Sequence, residues 1–395
     1  MTVLINDYAG HNFTIQLARE LSLRLGYKVF YTYFGSDISP KGNLNTRQND
    51  LEIKSIVLNG KFNKYSFVKR RKQELEFGRQ LAKYVNLVKP DVVISANTPL
   101  EVNRLIQKKC AADNTKFILW LQDIISIAAK TILKKKLGVL SFPVTEYYSY
   151  LEKLILRKSD RIITISEDFV EILEGWGVRS EGVSVIPNWS DVKAVYPFDK
   201  KNRWSEHYGL DKTFCVMYSG TLGLKHNPNL FIELSRDLKS HKDIKLVIIT
   251  EGVGARILDD FIKRENVYNL IRLDYQPINE LSLVLGTSDV LIAILEESAS
   301  KYSVPSKILT YMCAGRPILA VIPNQNLSFK LVTENNCGIG VKLNSSKSIL
   351  DEIFNLKKSK SIRENMGQNG RKFAQDTFDI HKIADRFERM IEDLF

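Results

Sequence analysis

Cysteine is scarce. Cys110, Cys215, Cys313 and Cys337 are scattered over 395 residues with no C-x-x-C spacing, so neither a disulfide framework nor a thiolate zinc site is expected. The spacing suits a reducing compartment. No apolar run approaches the roughly 18 residues of a membrane span. The opening Met1–Gly10 has neither the basic start nor the long apolar stretch of a secretion signal. Both absences point to a cytoplasmic protein. No D-x-D pattern occurs, so no carboxylate-held divalent metal is indicated. The G-x-x-x-x-G-K-[ST] phosphate loop is missing as well. Histidine is limited to five residues. Helix-turn-helix, zinc-finger and RNP-type patterns are absent, so a nucleic-acid partner is not expected.

What is present is ordinary for a folded chain: 44% hydrophobic and 26% charged residues. At roughly 150 residues per domain, the length implies two or three domains. The net charge is +12, and most of the surplus lies between Lys54 and Lys136. One basic cluster is Lys69, Arg70, Arg71 and Lys72, close behind Phe62, Tyr65 and Phe67. Another is Lys130 with Lys134, Lys135 and Lys136, beside Ile124, Ile125, Ile127, Ile132 and Leu133. An apolar stripe next to lysines suits a protein resting on an anionic membrane surface; a solvated helix face is the plainer alternative.

Alternation along the chain predicts strands at 3–5, 28–33, 90–95, 116–121, 161–166 and 183–188, with helical sequence between them. A polar stretch, 192–212, reads as a linker. A second series follows, with strands at 214–219, 245–250, 290–294 and 318–322 and an amphipathic helical tail. Two such series predict an α/β protein with two doubly wound Rossmann-like domains, whose ligands bind beyond the carboxyl ends of strands.

The residues after those strands therefore carry the chemistry. Gly220-Thr221-Leu222-Gly223 is small enough for a phosphate to approach the backbone, and Lys225 adds a compact positive charge; a plain strand-to-helix turn is the alternative. Further on, Pro305 and Ser306 suit the opening of a helix of about ten residues that ends at Gly315-Arg316-Pro317. Its free N–H groups and dipole would attract a diphosphate, with Lys307 adding charge.

The run from Val304-Pro305-Ser306-Lys307 to Tyr311-Met312-Cys313-Ala314-Gly315-Arg316-Pro317 resembles the nucleotide-sugar site of family 4 retaining glycosyltransferases of the GT-B fold. Three other stretches agree in order: Trp120-Leu121-Gln122-Asp123, Arg161–Ser166 with Val185-Ile186-Pro187-Asn188-Trp189, and Tyr218–Gly223 with Lys225. The similarity spans nearly the whole chain and is closest to the branch acting in capsule, O-antigen and colanic-acid assembly.

The resemblance implies an acceptor-binding domain at 1–195 and a donor-binding domain at 196–372, facing across a cleft. Helix 373–395 would cross back to the first domain. Lys225 and Lys307 would neutralise the leaving diphosphate, with N–H groups at Ser306 and Lys307. Gly220 and Thr221 would line the phosphates, and the backbone of Asp274-Tyr275-Gln276 would hold the base. Gly10, His11 and Asn12 would close on diphosphate and acceptor, with Gln122 and Asp123 on the acceptor side. For Asp123 a helix-capping role competes with a substrate contact.

Two features depart from the family pattern. Its paired glutamates are Tyr302 and Thr310 here, which shifts ribose recognition towards Glu296 or Glu297. A histidine common after the acceptor-side strand is Gln122, which can hydrogen-bond a sugar hydroxyl without shuttling a proton. The implied activity is metal-independent, retaining transfer from a nucleotide-sugar, UDP-sugar favoured, with no cofactor. The acceptor is a glycan or a polyprenyl-diphosphate-linked sugar, reached from the inner face of the plasma membrane. A nucleotide-sugar 2-epimerase and a non-catalytic scaffold are the rival expectations.

Overall fold

The computed structural model describes residues 1–36, 41, 44, 50–60, 62–63, 66–223, 226–299, 304–342 and 346–395, the side chains of 135–137 and 298 excepted. Thirteen strands are found among them, all in parallel ladders. β1 (Thr2–Asp7), β2 (Lys28–Phe34), β3 (Leu51–Ile56), β4 (Val92–Ala96), β5 (Lys116–Leu121), β6 (Arg161–Thr164) and β7 (Val183–Val185) form one sheet in the order β3-β2-β1-β4-β5-β6-β7. β8 (Phe214–Ser219), β9 (Ile244–Ile249), β10 (Leu270–Leu273), β11 (Val290–Ile294), β12 (Ile318–Val321) and β13 (Gly338–Val341) form the other, β10-β9-β8-β11-β12-β13. The expected pair of doubly wound sheets is therefore present.

The central strands β4 and β11 are buried at every position, as helices covering both faces of a parallel sheet require. Three strands escape the sequence pattern, β3, β10 and β13, and all three are sheet edges. Each is only partly buried along its length, so the apolar run that marks a central strand is missing. In both sheets the strand order reverses at one point, between β1 and β4 and between β8 and β11. Such a switch point opens a crevice at the carboxyl ends of the flanking strands.

Tertiary contacts divide the chain into Met1–Asn188 with Asp379–Phe395, and Trp189–Phe378. The division thus falls at Asn188, ahead of the 195 expected from sequence. The segment behind it is held by the second unit: Arg371 donates to the carbonyls of Val192 (3.1 Å) and Val195 (2.9 Å), and Ser282 Oγ accepts from Tyr196 N. The stretch expected as a linker also packs. Trp204 and Leu210 are buried, and Asn202 caps the helix Arg203–His207 in a reciprocal box with Ser205. Part of its polarity lies in the capping pair Asn202 and Ser205, which satisfies backbone N–H donors, and part in exposed charges such as Lys193, Lys201, Arg203 and Glu206.

The last helix, Ile380–Glu392, belongs to the first unit. Asp379 caps it, accepting from His381 N. Arg24 pairs with Asp385 and Glu388, and the Phe387 ring lies 4.9 Å from that of Trp120.

In the second unit the helix Lys307–Cys313 is clamped by the helix Lys360–Thr377. It ends on Gly315, whose φ of +64° favours glycine. Gly367 of the clamping helix approaches so closely that a Cβ there would stand 2.1 Å from the Gly315 carbonyl oxygen. Gly367→Ala should therefore cost about 1–3 kcal/mol, read as a lowered melting temperature. Gly175→Ala, where a Cβ meets nothing within 4 Å, should leave the melt unchanged or raise it slightly.

Candidate functional site

In the second unit the crevice forms where β8 ends. Lys307, the first residue of its helix, extends its ammonium over the ring of Tyr218, 3.5 Å from the centroid. Its Nζ is buried. A cation held against a desolvated aromatic face gains about 2 kcal/mol, and burial keeps the Tyr218 phenol protonated by raising its pKa well above the ordinary value. The side chain passes beside Gly220, where a Cβ would stand 3.5 Å from Lys307 Cε. Gly220 also adopts a φ of +128°, outside the range most side chains tolerate.

Two tyrosines fix this loop. The Tyr218 hydroxyl donates to the Thr221 carbonyl (2.7 Å). Tyr311, buried one helical turn beyond Lys307, accepts from Ser219 N–H (2.9 Å) and returns a bond to the Ser219 carbonyl (3.2 Å). Leu222 N–H donates to Thr250 Oγ1 and Gly223 N–H to His226 Nδ1. Nothing in the sequence spacing of Tyr218 and Tyr311 shows that they position a lysine.

The other donor-side candidates divide by what their side chains do. Thr221 Oγ1 lies 3.1 Å from the Tyr275 hydroxyl, so the loop and the 274–276 segment meet. Asp274 is paired with Arg272. Gln276 accepts from Trp204 Nε1 (2.9 Å) and donates to the Asp274 carbonyl. Those two side chains are structural, which leaves the backbone of the segment for a ligand. Glu297 accepts from Gln325, and Glu296 is half-buried. Thr310 Oγ1 lies 3.1 Å from Ser190 Oγ. Ser306 is exposed and makes no side-chain cap. The helix behind it has seven residues instead of about ten. Lys225 and Tyr302 lie outside the described residues.

In the first unit the crevice is organised by a residue that no sequence motif marks. Asp7, fully buried at the end of β1, collects hydrogen bonds on both carboxylate oxygens. Oδ2 accepts from His11 N (2.7 Å) and Thr14 Oγ1 (2.6 Å) and lies 3.2 Å from His11 Nδ1. Oδ1 accepts from Ala9 N (3.1 Å) and Asn97 Nδ2 (3.0 Å). Burial alone would raise its pKa; the His11 charge and the donated bonds lower it instead.

His11 precedes the helix Asn12–Ser22. Its side chain is 41% exposed, and with Nδ1 on Asp7, Nε2 is the nitrogen left for a ligand. Burial opposes its charge, but Asp7 and Asp123 outweigh that and raise the pKa. Gly10 is in the left-handed region at φ +73°. A Cβ there would touch Lys41 and Tyr33 at 3.5 Å.

Asp123 is exposed. The helix that follows, Ile125–Leu137, takes its cap from elsewhere: buried Glu152 accepts from the N–H groups of Ile125 and Ser126, each at 2.9 Å. The capping role open to Asp123 is thus filled by another carboxylate. Gln122 Oε1 accepts from Asn188 Nδ2 at 2.5 Å, while Gln122 Nε2 is buried without a partner among the described residues. The basic cluster of the helix Phe67–Val88 is partly neutralised, since Arg70 pairs with Glu74 (2.7 Å) and Arg71 with Glu101 (3.2 Å). Lys69, Lys72, Lys130 and Lys134 are exposed; the side chains of Lys135 and Lys136 lie outside the described set. Among the described residues, no helix is long and apolar enough to cross a membrane.

Two family models match the chain, Glycosyltransferase Family 4 over residues 11–194 and Glycosyl transferases group 1 over residues 200–373. An uncharacterized glycosyltransferase of Methanocaldococcus jannaschii, MJ1069, is 22% identical over 259 residues, covering 63% of this chain and 62% of that protein. A probable glycosyltransferase of Pseudomonas aeruginosa, WbjE, is 23% identical over 279 residues, covering 67% and 66%. The matches thus span less than two thirds of either relative's length. At the level of fold, the crystal structure of Anabaena Alr3699/HepE in complex with UDP-glucose superposes with a TM-score of 0.73 at 13% identity, over 100% of both chains.

The Asp7–His11 pair predicts a titration. A raised pKa keeps His11 protonated above the ordinary 6.5 of an imidazole. The stability this charge contributes is full below 6.5 and is lost as pH rises through the folded pKa. In the imidazole NMR spectrum, His11 should titrate above 6.5. Asp7→Asn should lower it, because burial then acts with less opposition.

Proposed function

The chain is a GT-B-type glycosyltransferase, its first half matching family 4 and its second half group 1, and from that premise we propose that it is a metal-independent, retaining enzyme of surface-polysaccharide synthesis. It moves a sugar from a nucleotide-sugar, UDP-sugar favoured, to a glycan or a polyprenyl-diphosphate-linked sugar. The observation that carries this reading is the Lys307 ammonium, seated on the Tyr218 ring beside Gly220 at the end of β8. Breaking the bond from the anomeric carbon to phosphate oxygen puts negative charge on the departing diphosphate. A preorganised cation and N–H donors aimed at that charge lower the barrier. Lys225 adds a second positive charge to the grip, the Gly220–Gly223 backbone adds N–H groups, and the 274–276 backbone takes the base.

The acceptor hydroxyl forms its bond to the anomeric carbon on the face the phosphate leaves, and the departing phosphate oxygen takes the hydroxyl proton. His11, oriented by Asp7, and Asp123 with Gln122 bind the acceptor in the first unit. A protonated His11 is an anchor for an anionic group on the acceptor, not a base. Support for a UDP-sugar comes from the UDP-glucose bound by HepE, a protein of the same fold. The absence of D-x-D from the sequence supports a cationic rather than a metal-held diphosphate.

Lys307→Met keeps the packing against Tyr218 and removes the charge. It should lower transfer by about 10²–10³-fold with an unchanged circular dichroism spectrum; undiminished turnover would remove Lys307 from this role. In a thermal-shift panel of UDP, GDP and dTDP, UDP should stabilise the parent most and Lys307→Met least. Incubation with the donor alone should give slow hydrolysis; conversion to the 2-epimer would establish the rival activity.

A further inference from the structure

A buried tryptophan in the stretch 192–212 uses its polar end far along the chain. Trp204, in the helix Arg203–His207, is 4% exposed, and its indole N–H donates to Gln276 Oε1 (2.9 Å). The helix around it is anchored to the same part of the second unit. The Asn202 amide donates to the Leu283 carbonyl and to Thr287 Oγ1, each at 3.2 Å. Arg203 pairs with Glu280 (2.9 Å). Trp204 is thus a fixed donor beside the segment that follows β10.

An indole nitrogen can only donate. The Gln276 atom that meets it must be the amide oxygen, so the amide has a single orientation. Its nitrogen is thereby turned onto the Asp274 carbonyl, to which it donates at 2.9 Å. The neighbouring groups are tied down as well. The Asp274 side chain pairs with Arg272, which is held in turn by both carboxylate oxygens of Asp259 (2.8 and 2.9 Å). The Tyr275 hydroxyl meets Thr221 Oγ1 at 3.1 Å. Asp274 is exposed, and Tyr275 and Gln276 are half-buried. Gln276 Nε2 carries two hydrogens, and the second has no partner among the described residues. Where the backbone alone would show an acceptor, the Asp274 carbonyl, the segment therefore shows an N–H donor.

This exchange distinguishes bases. The pairing edge of uracil reads carbonyl, N–H, carbonyl. The edge of guanine reads carbonyl, N–H, amino. The two differ at one place, where uracil accepts a hydrogen bond and guanine donates one. We propose that Gln276, oriented by Trp204, determines which base the donor carries: its amide N–H meets a uracil carbonyl, and it covers the Asp274 carbonyl that would otherwise accept from the guanine amino group. A polar group left without a partner in the site weakens binding of the wrong base. The inference rests on the reading that segment 274–276 takes the base, and it names the side chain that makes the choice. Trp204 acts through Gln276 and is a positioning residue.

The full chain is titrated with UDP and with GDP in a calorimeter, and the ratio of the two dissociation constants is the readout. The parent should bind UDP about tenfold or more tightly than GDP. Gln276→Glu keeps an oxygen for Trp204 and replaces the free donor by an acceptor; it should move the ratio about tenfold towards GDP. Gln276→Leu uncovers the Asp274 carbonyl without adding charge and should move the ratio the same way. Trp204→Phe removes the indole donor, frees the amide to turn, and should reduce the preference by a smaller factor. A merely structural role would weaken both nucleotides alike and leave the ratio where it was. Lys307→Met, which acts on the diphosphate, should do just that. A parent without preference for UDP, or a ratio unmoved in both Gln276 variants with unchanged circular dichroism, would overturn the proposal. If Lys307→Met still weakens both nucleotides in that case, the diphosphate reading stands and only the base assignment falls. A parent that binds neither nucleotide overturns both.

Discussion

A lysine ammonium against the face of a buried tyrosine is the contact on which the arrangement at the end of β8 depends. An ammonium leaving water needs compensation, and Lys307 finds part of it in the ring of Tyr218. That ring is at the end of β8, so the contact fixes the first residue of a short helix against the last residues of a central strand. Tyr311 ties the same helix to the backbone at Ser219. From behind, Gly315 and Gly367 let another helix press within backbone distance. Each element removes freedom from Lys307, so its charge is in place before any ligand arrives. Preorganisation of this kind is what makes a cation effective against a developing anion.

The first unit solves the converse problem. There the buried charge is a carboxylate, and Asp7 is satisfied by backbone N–H groups beside a helix start, by Thr14 and Asn97, and by His11. The carboxylate is stabilised by its donors, and in turn it holds the imidazole in one orientation and favours its charge. One unit thus presents a cation held by an aromatic ring, the other a cation held by a buried acid. Both lie where the strand order reverses, because only there do two neighbouring strand ends diverge enough to leave a crevice.

Local pattern and tertiary outcome part company at identifiable places. Arg70 and Arg71 look like free surface charge in the sequence, but each has a carboxylate partner on a helix face. Asp123 has the spacing of a helix cap, yet Glu152, far along the chain, holds those N–H groups. The stretch 192–212 is polar in its exposed charges and in the capping pair Asn202 and Ser205, yet it is folded, because Val195, Trp204 and Leu210 are buried. β3, β10 and β13 are edges covered incompletely, so their apolar content is too low to mark them. The exposure of Val139 and Leu140 is invisible to periodicity, since a short apolar run reads the same whether it points inward or outward.

Alternating apolar runs and helical periods were enough to specify two parallel α/β sheets, because a strand buried on both faces must be continuously hydrophobic. The loops after β8 and before the Lys307 helix were legible for a similar reason: glycine, proline and lysine each have a local conformational or charge signature. Which residues gather around those loops was not legible. Tyr218 and Tyr311 beside Lys307, Asp7 beneath His11, and Glu152 at a distant helix start are encounters that no local pattern announces. Their roles come from distance, burial and the lack of competing water, and those quantities exist only once the strands have chosen their neighbours.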